Sequence, residues 1–506
     1  MSQGVLPFQF EQESASTNLT GLAGLALYLD LWSAMGLDET VREQLADDST
    51  QGWPLSDLVR ALVLLNIAGG DGVSDLRMLR ADAGLCRLVS AATKHRMTRR
   101  ERRGFNNRFR KKDHGALPSD SAAHRFLAEL HDEEQEALRQ PHRAFIPAPT
   151  AMLSGLQAVN DALVAFVQRH HPVNEATIDG DATLTETHKS EALYSYKKFK
   201  AYQPLNFYWA EQGLVTYSQF RDGNVPAGYK KLDGLQQALR RLPAGVRSAS
   251  FRGDSAAYEV KLLRYCAEGK DERFGVIKFA VSADVTSKFK DAVAKVPTKD
   301  WQPLHREFDG TLEETEQQWA EVPYVPNWAG YSKNSPTYRF IAIREPLKQL
   351  SLPTVAEQLP FPTMQFGEQS YKLFGAVTNS DLPGEEIIRW HRKRCGKSEE
   401  VHDEMKHDLA GGRMPSGKFG ANAGWWSIMV LALNLNTALK RLVLRGHWVS
   451  KRLKALRFAF INMPGRLIDH ARRVVVRIAH DHPSFQLLVD ARGRILKLAQ
   501  GPPTRA

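Results

Sequence analysis

The sequence predicts an α/β protein. Its core is a mixed sheet in the order β-β-β-α-β-α-β completed by an acidic helix, interrupted by a β-rich insertion and flanked by helical N- and C-terminal regions. Three observations carry this. The texture changes from helix-periodic to strand-like near residue 170. Strand-like segments separated by proline-rich linkers fill residues 286–380. A long charged helical stretch then resumes. The divisions read from these changes are 1–165, 170–285, 286–380, 381–436 and 437–506.

The first region is mainly helical after a short strand at "VLPFQFEQ". "PLSDLVRALVLLNIAGG" places Pro and Ser at the start of an apolar-periodic helix and paired glycines at its stop. "GVSDLRMLRADAGL" starts another helix, and "LPSDSAAHRFLAELHDEEQEALRQ" follows with Ser119 or Ser121 as its N-cap. Short helices beside an arginine cluster are compatible with a helix-turn-helix-like DNA binder.

In the core, "EATIDGDATL" is strand-like, and "PLNFYWAEQGLVTYSQFRDGN" reads as a hairpin. "PAGYKKLDGLQQALRRLP" is an amphipathic helix, "GVRSASFRGD" a strand, "SAAYEVKLLRYCAEG" a helix and "RFGVIKFAVSAD" a strand. The insertion contributes "EQQWAEVPYVPNW", "TYRFIAIREP" and "YKLFGAVTN"; "DLPGEEIIRWHRKRCGKSEEVHDEMKHDLAGG" reads as one long helical stretch ended by glycines. "WWSIMVLALNLNTALKRLVL" forms a further helix leading into the basic C-terminal region.

Composition narrows the function classes. Of 506 residues, 42% are hydrophobic and 25% charged, as in an ordinary soluble globular chain. Cys86, Cys266 and Cys395 form no CxxC pattern, so a reducing cytoplasm is the expected setting. No basic region followed by an apolar core marks a signal peptide, and the apolar runs fall short of the ~18 residues of a membrane span. The net charge of +11 is segregated: residues 94–112 hold ten Lys/Arg against one Glu, and Lys440 to the end holds fifteen against three Asp. The remainder is net acidic by 10. Such segregation is an electrostatic footprint for a polyanion. Arg99, Arg100, Arg102, Arg103, Arg108 and Arg110 are the DNA-binding candidates of the first block.

"TIDGDATL" raises a specific question, because Asp is depleted from strands. Alternation sends Asp179 and Asp181 to one face, while Asp-Gly is equally a hairpin turn dipeptide. Asp254, in "SFRGDSAAY", falls at the C-terminal end of the fourth strand, where open α/β sheets place ligands, and is also placed to cap the next helix. A third acid lies in "CGKSEEVHDEMK". Clustered carboxylates need a cation, and oxygen-only ligation suits Mg²⁺ or Mn²⁺. Two decoys fall away. "GRMPSGKF" nearly matches a phosphate loop, but Phe419 replaces the hydroxyl and the stretch follows a helix, so ATP is not expected. His402 and His407 lack zinc partners and are expected on the surface of a basic helix.

Asp, Asp and Glu at these positions resemble the ribonuclease H-like core of DDE transposases. The phrases "DATLTETHKSEALYSYKKFKAYQPLNFYWAEQGLVTYSQFRDGNVPAGY", "ERFGVIKFAVSADV" and "RCGKSEEVHDEMKHDLAGGRMPSGKFGANAGWW" resemble most nearly insertion-sequence family thirteen-eighty. That resemblance implies Asp181, Asp254 and Glu399 as catalytic metal ligands for two ions, with Asp179 as the runner-up for the first position. The group's signature is Tyr, two residues, Arg, three residues, Glu, six residues, Lys. It selects Glu399 over Glu400 through the spacing to Lys406, although four residues separate Arg394 from Glu399 and His391 stands at the Tyr position. His391, Arg394 and Lys406 are thereby implied DNA contacts, and Trp301, Trp319 or Trp328 of the insertion a stacking site for a flipped base. The implied function is cut-and-paste transposition, with terminal inverted repeats and target DNA as partners. A homodimer on synapsed ends is implied, in a bacterial cytoplasm at the nucleoid, with no membrane and no ATP. The alternatives are a catalytically inactive or domesticated regulatory DNA-binding protein, or a structure-specific ribonuclease H-like nuclease.

Overall fold

The computed structural model describes residues 18–501 except 48–49, 96, 110–114, 309, 330–337, 348–360 and 471–472. The short strand expected at "VLPFQFEQ" lies outside the described residues, as does Arg110.

A ten-stranded mixed sheet organises the chain. Its strands, numbered along the sequence, are β1 (Glu175–Ala182), β2 (Leu205–Trp209), β3 (Leu214–Gln219), β4 (Ser248–Gly253) and β5 (Lys278–Ala283), followed by β6 (Gln302–Phe308), β7 (Thr311–Val322), β8 (Arg339–Pro346), β9 (Thr363–Phe366) and β10 (Gln369–Thr378). The spatial order is β3-β2-β1-β4-β5-β10-β8-β7-β6, with β9 against β10. β1, β4 and β5 run parallel, and β2 runs antiparallel to β1. The helices α1 (Lys231–Arg240) and α2 (Val260–Ala267) make the crossovers into β4 and β5, the connection parallel neighbours require. The strands of 286–380 do not form a separate body: β10 pairs with β5, so the insertion extends the core sheet at its free edge.

"TIDGDATL" is strand and not turn. Asp179 and Gly180 pair with Tyr208 and Phe207 on one side and with Arg252 and Gly253 on the other. Glycine is required at 180 by close packing, since a Cβ there would stand 2.9 Å from the Phe251 ring and 3.1 Å from that of Phe207.

The stretch after the sheet is broken where one helix was expected. α3 (Gly384–Arg392) ends, Gly396 adopts φ +76°, and α4 (Lys397–Asp403) starts afresh before a wider π turn over Glu404–Asp408. The left-handed backbone that only glycine adopts readily makes the corner. α5 (Phe419–Ala438) then runs through the centre of the molecule. With its continuation to Leu444 it is apolar and long enough to cross a bilayer, yet 83% of its most apolar eighteen-residue stretch is buried inside the protein. Asn434 docks it on the sheet edge: its Nδ2 donates to Val215 O at 2.8 Å and its Oδ1 accepts from Val215 N at 2.9 Å.

Apart from the two-residue strand Leu19–Thr20, the described elements of the N-terminal region are helices, from Leu25–Ala34 to Ala151–His170. Pro54 precedes the helix Leu55–Ala68, Gly69 at φ +100° follows it, and Ser119 rather than Ser121 caps Asp120–Glu129. The C-terminal region departs from the helical expectation. Gly465–His470 and Arg473–Ile478 form a hairpin that pairs with Leu19–Thr20, before a last helix, Phe485–Ala499. The alternating "RVVVRI" suits a strand with one face covered.

Candidate active site

Asp181 and Asp254 meet at the carboxyl ends of β1 and β4. The Asp254 carboxylate makes no cap bond to the short turn that follows it and instead accepts from Lys231 Nζ at 2.8 Å. Lys231, at the first turn of α1, is fully buried, whereas the Asp254 side chain is 36% exposed. Asp181 Oδ2 receives Arg394 Nη1 at 3.1 Å. Burial, together with the neighbouring Asp254 charge, pushes the Asp181 carboxyl up to about 6 against the opposing pull of Arg394 and Lys231. Two cations, one from before β4 and one from the corner between α3 and α4, therefore hold two acids together.

Asp179 is occupied differently. Arg252, its neighbour across the sheet, clasps it with Nε at 2.6 Å and Nη2 at 2.7 Å, and both residues are buried. Arg252 also donates to Trp390 O at 2.7 Å, which ties α3 to the sheet. This is the geometry of a structural ion pair, with both carboxylate oxygens used.

His391 is buried beneath the site and donates from Nε2 to Gly253 O at 2.9 Å, fixing the backbone next to Asp254. His402 is also buried, contrary to the surface position expected for it. Its face of α4 packs on β2, and its Nε2 accepts from Asn206 Nδ2 at 3.2 Å. Asn206 is the residue paired with Asp181. Burial drives both imidazoles down to about 4, so they are neutral. His407 is the exposed member of the pair.

Glu399 stands apart from the two aspartates. It is exposed, and its Oε2 accepts from the Gly396 backbone N–H at the start of α4. It lies one turn before His402 on α4, at an exposed position next to the buried face formed by Ser398, Val401 and His402. Glu400 pairs with Lys397 at 2.9 Å. Lys406 is half-buried one turn beyond His402. Among the described residues no group of three or more His, Cys, Asp or Glu is arranged to hold a metal ion.

Elsewhere, Arg99, Arg100, Arg102 and Arg103 are exposed on the helix Arg99–Asn107, which Thr98 and Glu101 cap reciprocally. Arg108 is turned inward, donating to Gly52 O at 3.1 Å. Trp301 is buried with the Arg344 guanidinium 4.0 Å from its ring centre, and Trp319 is buried against Gly384. Trp328 is half-buried, 4.9 Å edge-on to Tyr338.

Sequence reasoning missed Lys231 and Arg252. Arg252 was within reach: parallel pairing of the two predicted strands sets it beside Asp179. A fully buried lysine on an amphipathic helix leaves no comparable signal.

A mixed α/β protein with acids at adjacent strand ends is the class this geometry defines. The family model described as transposase DDE domain group 1 matches residues 9–500, and the chain belongs to that family. Among solved structures, it is similar to the piggyBac transposase synaptic complex with hairpin DNA seen by cryo-EM, at 9% identity and a TM-score of 0.40, over 95% of this chain and 82% of that one. No curated protein matches.

Proposed function

We propose that this protein is a cut-and-paste DNA transposase of insertion-sequence family thirteen-eighty, acting on the terminal inverted repeats of its own element through Asp181, Asp254 and Glu399. The observation that carries the reading is the meeting of Asp181 and Asp254 under the opposed cations Lys231 and Arg394. The sheet order β3-β2-β1-β4-β5 with β2 antiparallel supports a ribonuclease H-like core.

The donor set fits a hard divalent cation: carboxylate oxygens at a partly open edge, already coupled to one another. Asp181, Asp254 and Glu399 would hold Mg²⁺ or Mn²⁺, two ions in all, and the bound ions supply charge stabilisation at the scissile phosphate. Glu399 would have to leave the Gly396 N–H to join them. Arg394 Nε is buried with no hydrogen-bond partner, which suits a phosphate oxygen arriving beside Asp181. Lys406 and the exposed arginines of Arg99–Asn107 supply sequence-independent phosphate contacts. Each chemical step is phosphoryl transfer: the attacking oxygen, of water in the first cut and of the freed 3′-hydroxyl afterwards, loses its proton and forms the new P–O bond as the 3′-oxygen of the scissile bond leaves and takes up a proton, so no ATP is consumed. Two ends must be synapsed, which calls for a homodimer, working at the nucleoid of a bacterial cytoplasm.

The test is cleavage of DNA carrying the gene's genomic flanks, in Mg²⁺, by wild type and Asp254→Asn. Discrete cuts at the flanking repeats that vanish in the variant support the reading. Binding without cutting in both Mg²⁺ and Mn²⁺ replaces it with a regulatory DNA-binding protein.

A further inference from the structure

Between β1 and β2 the chain leaves the candidate catalytic edge and returns to it. Ala182 pairs with Leu205, and everything between them is an excursion from that point. Its base is the short ladder of Thr185–Glu186 against Ala201–Tyr202, and its tip is "YSYKKFK", residues 194–200.

The tip is rigidly built. Tyr194 bridges Lys200, Ser195 N donates to Phe199 O at 2.8 Å, and Lys198 turns the chain at φ +66° with its N–H on Ser195 O at 2.9 Å. Lys200 Nζ donates to Ser190 O at 2.6 Å. The base is fixed by Asp222, which accepts from Leu193 N at 2.9 Å and is paired with buried Arg139, itself donating to Glu191 O at 2.8 Å.

On this fixed frame Tyr194 and Tyr196 are 64% and 72% exposed, while Ser195 between them is buried. Tyr194 sits at the bridge and Tyr196 in the turn that follows, with Lys200 Nζ 5.9 Å from the centre of the first ring and Lys197 Nζ 5.9 Å from that of the second. Lys197 and Lys198 are exposed beside them, and residues 194–200 contain three lysines and no acid. Two exposed rings, each with a lysine beside it, on a hydrogen-bonded basic frame are the elements of a stacking platform for unpaired nucleotides, in which aromatics take the bases and lysines the phosphates. Tyr196 lies ten residues beyond Glu186, a reach of at most about 33 Å of extended chain, or roughly one helical turn of duplex.

We propose that the 194–200 hairpin binds a single-stranded stretch of DNA beside the cleavage point, with Tyr194 and Tyr196 stacking on bases and Lys197 and Lys198 on the backbone. The location relative to cleavage rests on Asp181 being catalytic; the strand binding itself does not.

The experiment is fluorescence anisotropy of the full chain with a labelled twelve-nucleotide oligo-dT and with a duplex of equal length. The double variant Tyr194→Ala, Tyr196→Ala should lose about tenfold or more in single-strand affinity and leave the duplex within twofold, and Tyr194→Phe, Tyr196→Phe should restore it. Lys197→Ala with Lys198→Ala should weaken both probes and flatten the salt dependence by one to two phosphate contacts. Unchanged single-strand affinity in the tyrosine-to-alanine variant overturns the inference. Tyrosine-dependent strand binding in a protein that never cuts its flanks would keep this inference and remove the transposase reading. Cutting with no tyrosine dependence would do the reverse.

Discussion

The Lys231 ammonium lies 2.8 Å from the Asp254 carboxylate, and Lys231 has no exposed surface. Burial pulls the Lys231 ammonium below the usual lysine range, against the attraction of Asp254 and, after it, Asp181, and its bond to Asp254 makes it the counter-charge of the two acids. Lys231→Met should cost about 1–3 kcal/mol without divalent ions, less than the roughly 3–5 kcal/mol of a broken fully buried pair because the Asp254 side chain is 36% exposed to water. Added Mg²⁺ should then raise the variant's melting temperature more than wild type's. Equal shifts in the two proteins would show that Lys231 and the ion do not share Asp254.

Asp179 and Asp181 point to one face yet should behave oppositely. Asp179→Asn leaves Arg252 buried without its carboxylate and should cost about 3–5 kcal/mol in chemical denaturation. Asp181→Asn should cost less, about 1–2 kcal/mol, because the amide oxygen can keep the single 3.1 Å bond from Arg394, and it should abolish cleavage. Reversal of these two outcomes would exchange the structural and catalytic roles.

The buried imidazoles set an acid limit. His391 and His402 titrate near 4 in the folded chain and near 6.5 when unfolded, so the unfolded chain binds more protons between those values. Their contribution is fully present above about 6.5 and is lost as pH falls through about 4, up to roughly 3 kcal/mol for each. Asp161 and Asp181, pushed up to about 6, act in the opposite sense. The comparison is therefore between proteins: His402→Gln should flatten the stability loss between pH 7 and 4.5, read from urea midpoints. A slope identical to wild type would place His402 in water.

Gly396 makes the corner that separates Arg394 from Glu399. Gly396→Ala should cost about 1–2 kcal/mol, since its φ of +76° is strained for any side chain. It should also slow cleavage, with DNA binding retained in a gel-shift assay. Full activity would mean that the corner is not what places the two groups.

The alternation of "TIDGDATL", the crossover helices and the position of Asp254 at a strand end were legible because each depends on local period and spacing. The continuity of 286–380 with the core sheet was not, since β5–β10 pairing joins residues about a hundred positions apart. The C-terminal hairpin was hidden by charge: Arg466, Arg473 and Arg477 occupy open positions of "RLIDH" and "RVVVRI", and a basic run reads as helix when its partner strand, Leu19–Thr20, is at the other end of the chain. His402 was misplaced for a related reason, because charges on both sides of it masked the single face of α4 that meets Asn206.

The central claim is that Asp181, Asp254 and Glu399 act as one centre although Glu399 caps α4 in this structure. The direct measurement compares Mg²⁺-dependent cleavage of flank DNA by Glu399→Gln and Glu400→Gln. The account predicts that the first loses cleavage by at least about 100-fold while still binding DNA, and that the second cuts like wild type. Cleavage by Glu399→Gln, or its loss in Glu400→Gln alone, would contradict it.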